Sequence, residues 1–293
     1  MNWQLILNQI ESATGAEFKL QSVRPLAGGD INSAYCLTGV NRSYFVKLNR
    51  PEQSDMFAAE AAGLAELAAT QTVRIPQPIA HGETSEHAFL VLEYIDFGSA
   101  SPASQRQFGR QLALLHEQRQ PYFGWCRDNT IGSTPQPNPQ STDWINFWRS
   151  QRLQHQLQLA AHKGYRGHLQ TSGAQLRDRL AGFFHGYQPH PSLLHGDLWG
   201  GNAATDKQGN PVMFDPACYY GDKEADLAMT ELFGGFGADF YAAYRETSPL
   251  DQGYAVRKVL YNLYHILNHL NLFGSGYLGQ AENMILRLLS EVH

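Results

Sequence analysis

Polar and apolar residues interleave at helical intervals in the opening MNWQLILNQIESATG, which predicts an amphipathic helix over residues 3–13. Gly15 then supplies a residue that can adopt the left-handed conformation at the helix end. Three short β-like runs follow, at 18–26, 34–37 and 44–48. They are separated by the Gly-rich turn 28–30 and by Gly39-Val40-Asn41-Arg42. Residues 54–69 are rich in Ala, Glu and Leu and read as a helix. Two more strands are expected at 77–81 and 88–93, the second a continuous apolar run of the kind buried on both faces.

The pattern changes after Gly98. Residues 104–118 place Phe108, Leu112 and Leu115 at helical spacing, and 121–140 form a long Pro/Gly/Asn-rich loop. Helices are expected at 144–161 and 169–187, a strand-and-loop region at 193–214, and a largely helical remainder from Asp222. A β-rich first third and an α-rich remainder predict an α+β chain of two lobes, 1–95 and 96–293, meeting at a cleft.

Composition narrows the partners. The net charge is −5 and no basic stripe occurs, which argues against nucleic acid. No stretch of about 18 apolar residues suggests a membrane span. The three cysteines are widely spaced without a CxxC, a pattern that suits reduced thiols in the cytoplasm. The opening helix lacks the basic start and apolar run of a signal peptide. A cytoplasmic monomer is the default expectation.

Chemistry concentrates in His195-Gly196-Asp197-Leu198-Trp199-Gly200-Gly201-Asn202, followed by Met213-Phe214-Asp215-Pro216. An Asp with an Asn five positions later repeats the HRDLxxxN catalytic-loop spacing of protein kinases, and Asp215 ends an apolar run where the kinase metal-binding Asp sits. Asp197 could accept a hydroxyl proton, while Asn202 and Asp215 could hold Mg²⁺ against nucleotide phosphates. Read singly, each motif could be an ordinary turn or strand end; their order and context favour the kinase reading. Upstream, Tyr44-Phe45-Val46-Lys47 is a strand ending in a lysine that could contact phosphates, and Glu60 on the next helix could pair with it. Glu52 and Glu66 are competing partners, with Glu66 set too far along the helix. The Gly28-Gly29-Asp30-Ile31-Asn32 turn is a candidate phosphate cover, although it is no GxGxxG and Asp30 brings a negative charge.

HGDLWGGN, the segment from FDPACYYGDKEADLAM onward and the TPQPN loop resemble the fructosamine-3-kinase (ketosamine-3-kinase) family, over essentially the whole chain. That family shares the protein-kinase-like two-lobe fold of aminoglycoside phosphotransferases and choline kinases. The resemblance implies an ATP-dependent kinase that phosphorylates the 3-hydroxyl of ketosamine sugars, small or protein-bound, in a deglycation repair role. By the same resemblance Asp197 is the proton acceptor, Asn202 and Asp215 bind Mg²⁺, and Lys47 with Glu60 positions the phosphates. Glu93, Tyr94, Ile95 and Asp96 would meet the adenine, mainly through backbone, and Gly28, Gly29 and Asn32 would lie near the phosphates. Asp226 resembles the Asp that braces the family's catalytic loop by accepting backbone hydrogen bonds, and His195 is a further candidate for structural support. Gly200 departs from the serine usual in the family's HGDLWSGN.

Trp199, inside the catalytic loop, is a candidate for stacking on a sugar face; Trp125, Trp144 and Phe147 are candidates that could equally be core. His265 and His269 stand at i, i+4 without the accompanying Glu of a zinc motif and read as packing residues. The Gly234–Gly237 run reads as a helix break. Within the same fold, an aminoglycoside- or choline-type phosphotransferase is the runner-up. A non-catalytic pseudokinase is disfavoured because Lys47, Asp197, Asn202 and Asp215 are all present.

Overall fold

The computed structural model describes residues 3–27 and 31–292. Gly28, Gly29 and Asp30 of the candidate phosphate turn therefore lie outside the described residues. The N-terminal helix α1 (Gln4–Thr14) ends at Gly15, whose φ of 66° places it in the left-handed region. Strands β1 (Leu20–Leu26), β2 (Ser33–Gly39) and β3 (Ser43–Asn49) follow, then helix α2 (Ser54–Ala69) and strands β4 (Pro78–Glu83) and β5 (Ala88–Glu93). They form one antiparallel sheet in the order β1-β2-β3-β5-β4.

The sheet is covered on both faces. Ile6 and Ile10 of α1 pack with Val46, Leu48, Phe89 and Val91, while Phe57, Leu64 and Leu67 of α2 pack with Ala88, Leu90 and Leu92. Alternate residues of β5 thus enter two different cores, which is why that strand shows no polar alternation.

Beyond Glu93 the chain is mostly helical. Helix α3 (Pro102–Leu115) opens on a capping box in which Ser101 and Ser104 exchange hydrogen bonds. The loop expected at 121–140 contains a small hairpin, β6 (Asn129–Ile131) and β7 (Thr134–Gln136). Three-residue strands are too short to leave a period-two signature, so the sequence pattern missed them. The helix expected at 144–161 is divided: α4 (Trp144–Phe147) passes into a π-helical stretch, Trp148–Gln154, and then α5 (His155–His162). Helix α6 (His168–Asp178) gives way to a 3₁₀ turn, Leu180–Phe184.

Two short antiparallel pairs carry the motif region. Strand β8 (Ser192–Leu194) pairs with β11 (Tyr219–Gly221), and β9 (Ala203–Thr205) pairs with β10 (Pro211–Met213). Helices α7 (Lys223–Leu232), α8 (Ala238–Thr247), α9 (Tyr254–Phe273) and α10 (Leu278–Glu291) complete the chain. Helix α9 buries residues on nearly every side, from Tyr254 to Asn271, and forms the centre of this helical half. An antiparallel N-terminal sheet followed by a mostly helical remainder is a two-lobe α+β architecture. Among the described residues no helix is long and apolar enough to cross a membrane.

The two halves are fastened at their junction. Gly98 donates its backbone N–H to Thr205, Lys207 donates to the Asp96 carbonyl, and Met213 donates to the Arg74 carbonyl. Phe97 stacks on Phe214 with ring centroids 5.5 Å apart. The chain leaving the sheet is therefore laid against the β9–β10 hairpin rather than hanging as a free linker.

Candidate active site

The 195–202 loop turns between β8 and β9 and is held from beneath by one buried carboxylate. Asp226, in the first turn of α7, accepts the backbone N–H groups of His195 at 2.6 Å and Gly196 at 2.8 Å. Burial would raise the Asp226 carboxyl, but His116 and the backbone donors hold it below its usual value. His116 lies behind it, with Nε2 3.4 Å from Asp226 and Nδ1 2.8 Å from the Tyr244 hydroxyl. The sequence offered no sign of His116, because the contact joins residues 110 positions apart. Gly196 is required for close approach: a Cβ there would sit 2.1 Å from the Ala217 carbonyl oxygen, and its φ is 82°.

His195 ties this loop to the metal-type segment. Its Nδ1 accepts from the Asp197 amide at 3.3 Å, leaving Nε2, 2.9 Å from the Phe214 carbonyl, as the donor. Burial pushes the imidazole below its ordinary pKa, in keeping with a neutral hydrogen-bonding role. Asn202 completes the turn by donating Nδ2 to the Asp197 carbonyl at 2.9 Å and to its Oδ2 at 3.0 Å. Among the described residues nothing donates to Asp197 Oδ1. Burial pushes the Asp197 carboxyl up to about 7, opposed by the Asn202 hydrogen bond and assisted by the charges of Asp215 and Asp226.

Across the cleft, Lys47 of β3 extends its ammonium between two carboxylates, 2.6 Å from Glu60 Oε1 and 2.7 Å from Asp215 Oδ1. Burial alone would lower the Lys47 pKa, but the carboxylates outweigh it and keep the ammonium charged. The competing acid Glu66 is engaged elsewhere, accepting from Trp125 Nε1 and the Tyr220 hydroxyl. Asp215 is itself unusual, a non-glycine residue with φ 58° whose side chain is 43% exposed. Its carboxylate and the Asn202 Oδ1, which accepts no hydrogen bond among the described residues, are two hard oxygen donors. That donor set is short of a full cage and fits Mg²⁺, which takes its remaining ligands from phosphate and water.

The other candidates separate clearly. Asn32, just before β2, accepts a 2.7 Å hydrogen bond from Asn49 at the end of β3, the strand that carries Lys47. Glu93 donates its backbone N–H to the Gln77 carbonyl and accepts from Arg74 at its carboxylate, and Asp96 pairs with Lys207 at 3.1 Å. Among the described residues no backbone hydrogen bond uses Tyr94 or Ile95. Trp199 is 38% exposed and meets Phe233 edge to face, with centroids 6.2 Å apart. Trp125, Trp144 and Phe147 are buried in the core. His265 is buried and pushed down to about 3, and its carbonyl lies 2.8 Å from His269 Nδ1, an internal helix contact.

Gly200 now has a steric reason. A Cβ at Gly200 would lie 2.8 Å from the Gly235 Cα and 2.9 Å from the Gly234 carbonyl oxygen, and the Gly200 N–H donates to that carbonyl. The Gly234–Gly237 run that read as a helix break is therefore also the wall against which the catalytic-type loop packs.

A lysine–glutamate pair facing an Asp…Asn…Asp constellation, in a two-lobe α+β chain, defines a kinase-type phosphotransferase. The sequence model of the family described as fructosamine kinase matches residues 2–291, and the chain belongs to that family. It is 50% identical over 288 residues to a "Probable ketoamine kinase" of Synechocystis, covering 98% of this chain and 97% of that protein. It is 43% identical to the chloroplastic protein-ribulosamine 3-kinase of Arabidopsis thaliana, over 92% of this chain and 83% of the relative. A crystal structure from Haemophilus somnus, provisionally named a fructosamine-3-kinase, superposes with a TM-score of 0.90 at 30% identity, covering 98% and 97% of the two chains. An aminoglycoside phosphotransferase at 16% identity and a TM-score of 0.63, covering 97% and 98%, shares the fold.

Proposed function

We propose that this chain transfers the γ-phosphoryl group of ATP, with Mg²⁺, to a sugar hydroxyl of a ketosamine, the 3-hydroxyl of ribulosamine or fructosamine derivatives. The observation that carries the reading is the convergence, within hydrogen-bond distance, of Lys47 with Asp215 and of Asn202 with Asp197. The names borne by the relatives, ketoamine kinase and ribulosamine 3-kinase, support the acceptor class. The reading takes residues 1–95 as the nucleotide-side lobe and 96–293 as the catalytic lobe. It assigns the enzyme to the cytoplasm as a monomer, with its three cysteines unpaired.

The acceptor hydroxyl oxygen attacks the γ-phosphorus in line as the bond to the β–γ bridging oxygen breaks. Its proton passes to Asp197 Oδ1, to which nothing among the described residues donates, while Asn202 holds Oδ2 and fixes the carboxylate plane. Asp197 need not be a strong base, because a loose transition state releases the hydroxyl proton late; orientation is its larger task. Asn202 and Asp215 would hold the metal, which supplies charge neutralisation at the phosphates when bound. Lys47, steadied by Glu60, presents its ammonium to the phosphates, and the backbone edges of Tyr94 and Ile95 face the base. Trp199, exposed and braced on Phe233, offers an aromatic face to the sugar.

The test is a Mg·ATP turnover screen over ribulosamines, fructosamines, aminoglycosides and choline. Turnover of the first two classes is expected. Turnover confined to the last two would overturn the acceptor class and leave the fold untouched.

A further inference from the structure

The Asp215 backbone lies in a region that non-glycine residues rarely occupy, a conformation that persists only where neighbours hold it. Among the described residues its carboxylate accepts a hydrogen bond from Lys47 alone, and the side chain is 43% exposed, so its aim is set chiefly by the path of the backbone through 214–218. Two sets of groups hold this path. From the catalytic-type loop, His195 binds the Phe214 carbonyl, the Asn202 carbonyl accepts the Phe214 N–H, and the His195 carbonyl accepts the Ala217 N–H. From the opposite side, the β6–β7 hairpin holds the next two carbonyls: Gln136 Nε2 donates to Ala217 at 3.1 Å and Asn129 Nδ2 to Cys218 at 2.8 Å.

We propose that Gln136 and Asn129 are positioning residues for the metal-holding Asp215, and that the buried amide network of the β6–β7 hairpin exists to fix the 214–218 path. The proposal rests on reading Asp215 as a metal ligand. Gln136 donates also to Asn129 Oδ1 and accepts from the Tyr264 hydroxyl at 2.7 Å. Asn138 donates to Asn129 and accepts from Arg152 Nη2 at 2.7 Å. Arg152 is fully buried, has no ion pair among the described residues, and lies 4.2 Å from the Tyr219 ring centroid and 4.7 Å from that of Phe147. It thereby ties the hairpin back to β11, the strand that follows the gripped carbonyls. The π-helical turn supplies it, a wider winding that buries Trp148, Arg152 and Leu153 together.

A desolvated guanidinium with only amide oxygens and ring faces is a poor way to gain stability, since apolar side chains of similar volume would do as well or better. A connected polar network instead specifies one geometry, because any shift leaves further buried donors unpaired, beyond the Arg152 Nε that has no partner among the described residues. This one grips the backbone two and three residues past Asp215. Where kinases regulate by moving the segment after the metal Asp, this chain has it clamped from both sides.

The deciding experiment titrates Mn²⁺ into the full-length protein with the non-hydrolysable analogue AMP-PNP, followed by electron paramagnetic resonance. Amide hydrogen exchange is measured in parallel on the metal-free protein. Gln136→Met should weaken Mn²⁺ binding about tenfold, at the lower end for groups that orient metal ligands, and should speed exchange at 214–218. Tyr254→Phe removes a hydroxyl contact elsewhere, with Glu231 between α9 and α7, and should lower thermal stability without moving Mn²⁺ affinity. Unchanged Mn²⁺ affinity in folded Gln136→Met, or an equal loss in Tyr254→Phe, would overturn the proposal. Should Gln136→Met not fold, Tyr264→Phe, which removes only the hydroxyl donor to Gln136, must show a smaller shift in the same direction, and no shift overturns the proposal. Absence of Mn²⁺ binding by the native chain would overturn the reading of Asp215 itself and the proposal with it; native binding that the variants leave unmoved overturns the positioning role alone.

Discussion

Two clusters of one cation and two carboxylates join the sheet to the helical half, and they are built for opposite purposes. In the cleft, Lys47 lies between Glu60 and Asp215. At the junction, Arg74 lies between Glu93 and Asp206. The cleft cation is a compact ammonium on a flexible stem, and its partner Asp215 is half open to solvent, so that contact can be exchanged for a metal and phosphates. The junction cation is a planar guanidinium. Its partner Asp206 is buried and also accepts the Gln208 and Asn210 backbone N–H groups and the Asn210 side chain. The first cluster is poised to change partners; the second is a fixed clasp.

The sharpest way to break this contrast is to remove each cation. Lys47→Met should lower kcat/KM about 10²–10³-fold, the scale for losing one preorganised charge at a transferring group. Steady-state kinetics with Mg·ATP checks it, and a loss below about tenfold would mean that the cleft cluster is merely structural. Asp197→Asn, which keeps the shape and removes the proton acceptor, should lower turnover about 10²-fold or more. Near-normal turnover in a folded sample would refute its role.

Arg74→Met should instead cost about 1.5–3 kcal/mol of stability, the range of a hydrogen bond to a charged group, and leave kcat within about threefold. Denaturant unfolding beside kinetics separates the two; a large kcat loss with unchanged stability would erase the distinction between clusters. The smallest effect concerns pH. The hydrogen bonds from Asn210, Gln208 and Arg74 overcome the effect of burial and pull the Asp206 carboxyl down to about 2. A depressed folded-state value means the unfolded chain binds the proton more readily. Its stabilisation is therefore full above the ordinary carboxylate range and is lost as pH falls toward 2. Unfolding midpoints of Asp206→Asn should accordingly fall less steeply than those of the native chain between about pH 4 and 2; parallel curves would remove Asp206 as the cause.

The two clusters also differ in how far they could be read before folding. Lys47 ends an apolar strand-like run and Glu60 lies on the helix next in sequence, so local pattern was enough to nominate both. Arg74 and Asp206 are 132 positions apart, in stretches with no motif, and nothing in the pattern marked them. The same divide runs through the site. Asp197 and Asn202 are five residues apart in one loop, whereas Gln136 and the carbonyl it holds are separated by 81. Among the aromatic candidates, the place of Trp199 inside the catalytic loop set it ahead of Trp144, but nothing local showed that the first is exposed and the second buried, because packing decides exposure.

By itself the amino-acid sequence determined the elements with strong periodicity and the residues whose chemistry depends on short spacing: the α2 helix, the doubly buried β5 strand, and the Asp…Asn…Asp order between 197 and 215. These depend on backbone geometry over a few residues, which a local pattern encodes. Only the tertiary structure decided that Glu66 serves Trp125 and Tyr220, that Gly200 must lack a side chain because Gly235 lies against it, and that a hairpin within an apparent loop grips the segment after Asp215. Each of those is a contact between distant parts of the chain, and its partner is chosen by where the packed core brings the two surfaces together.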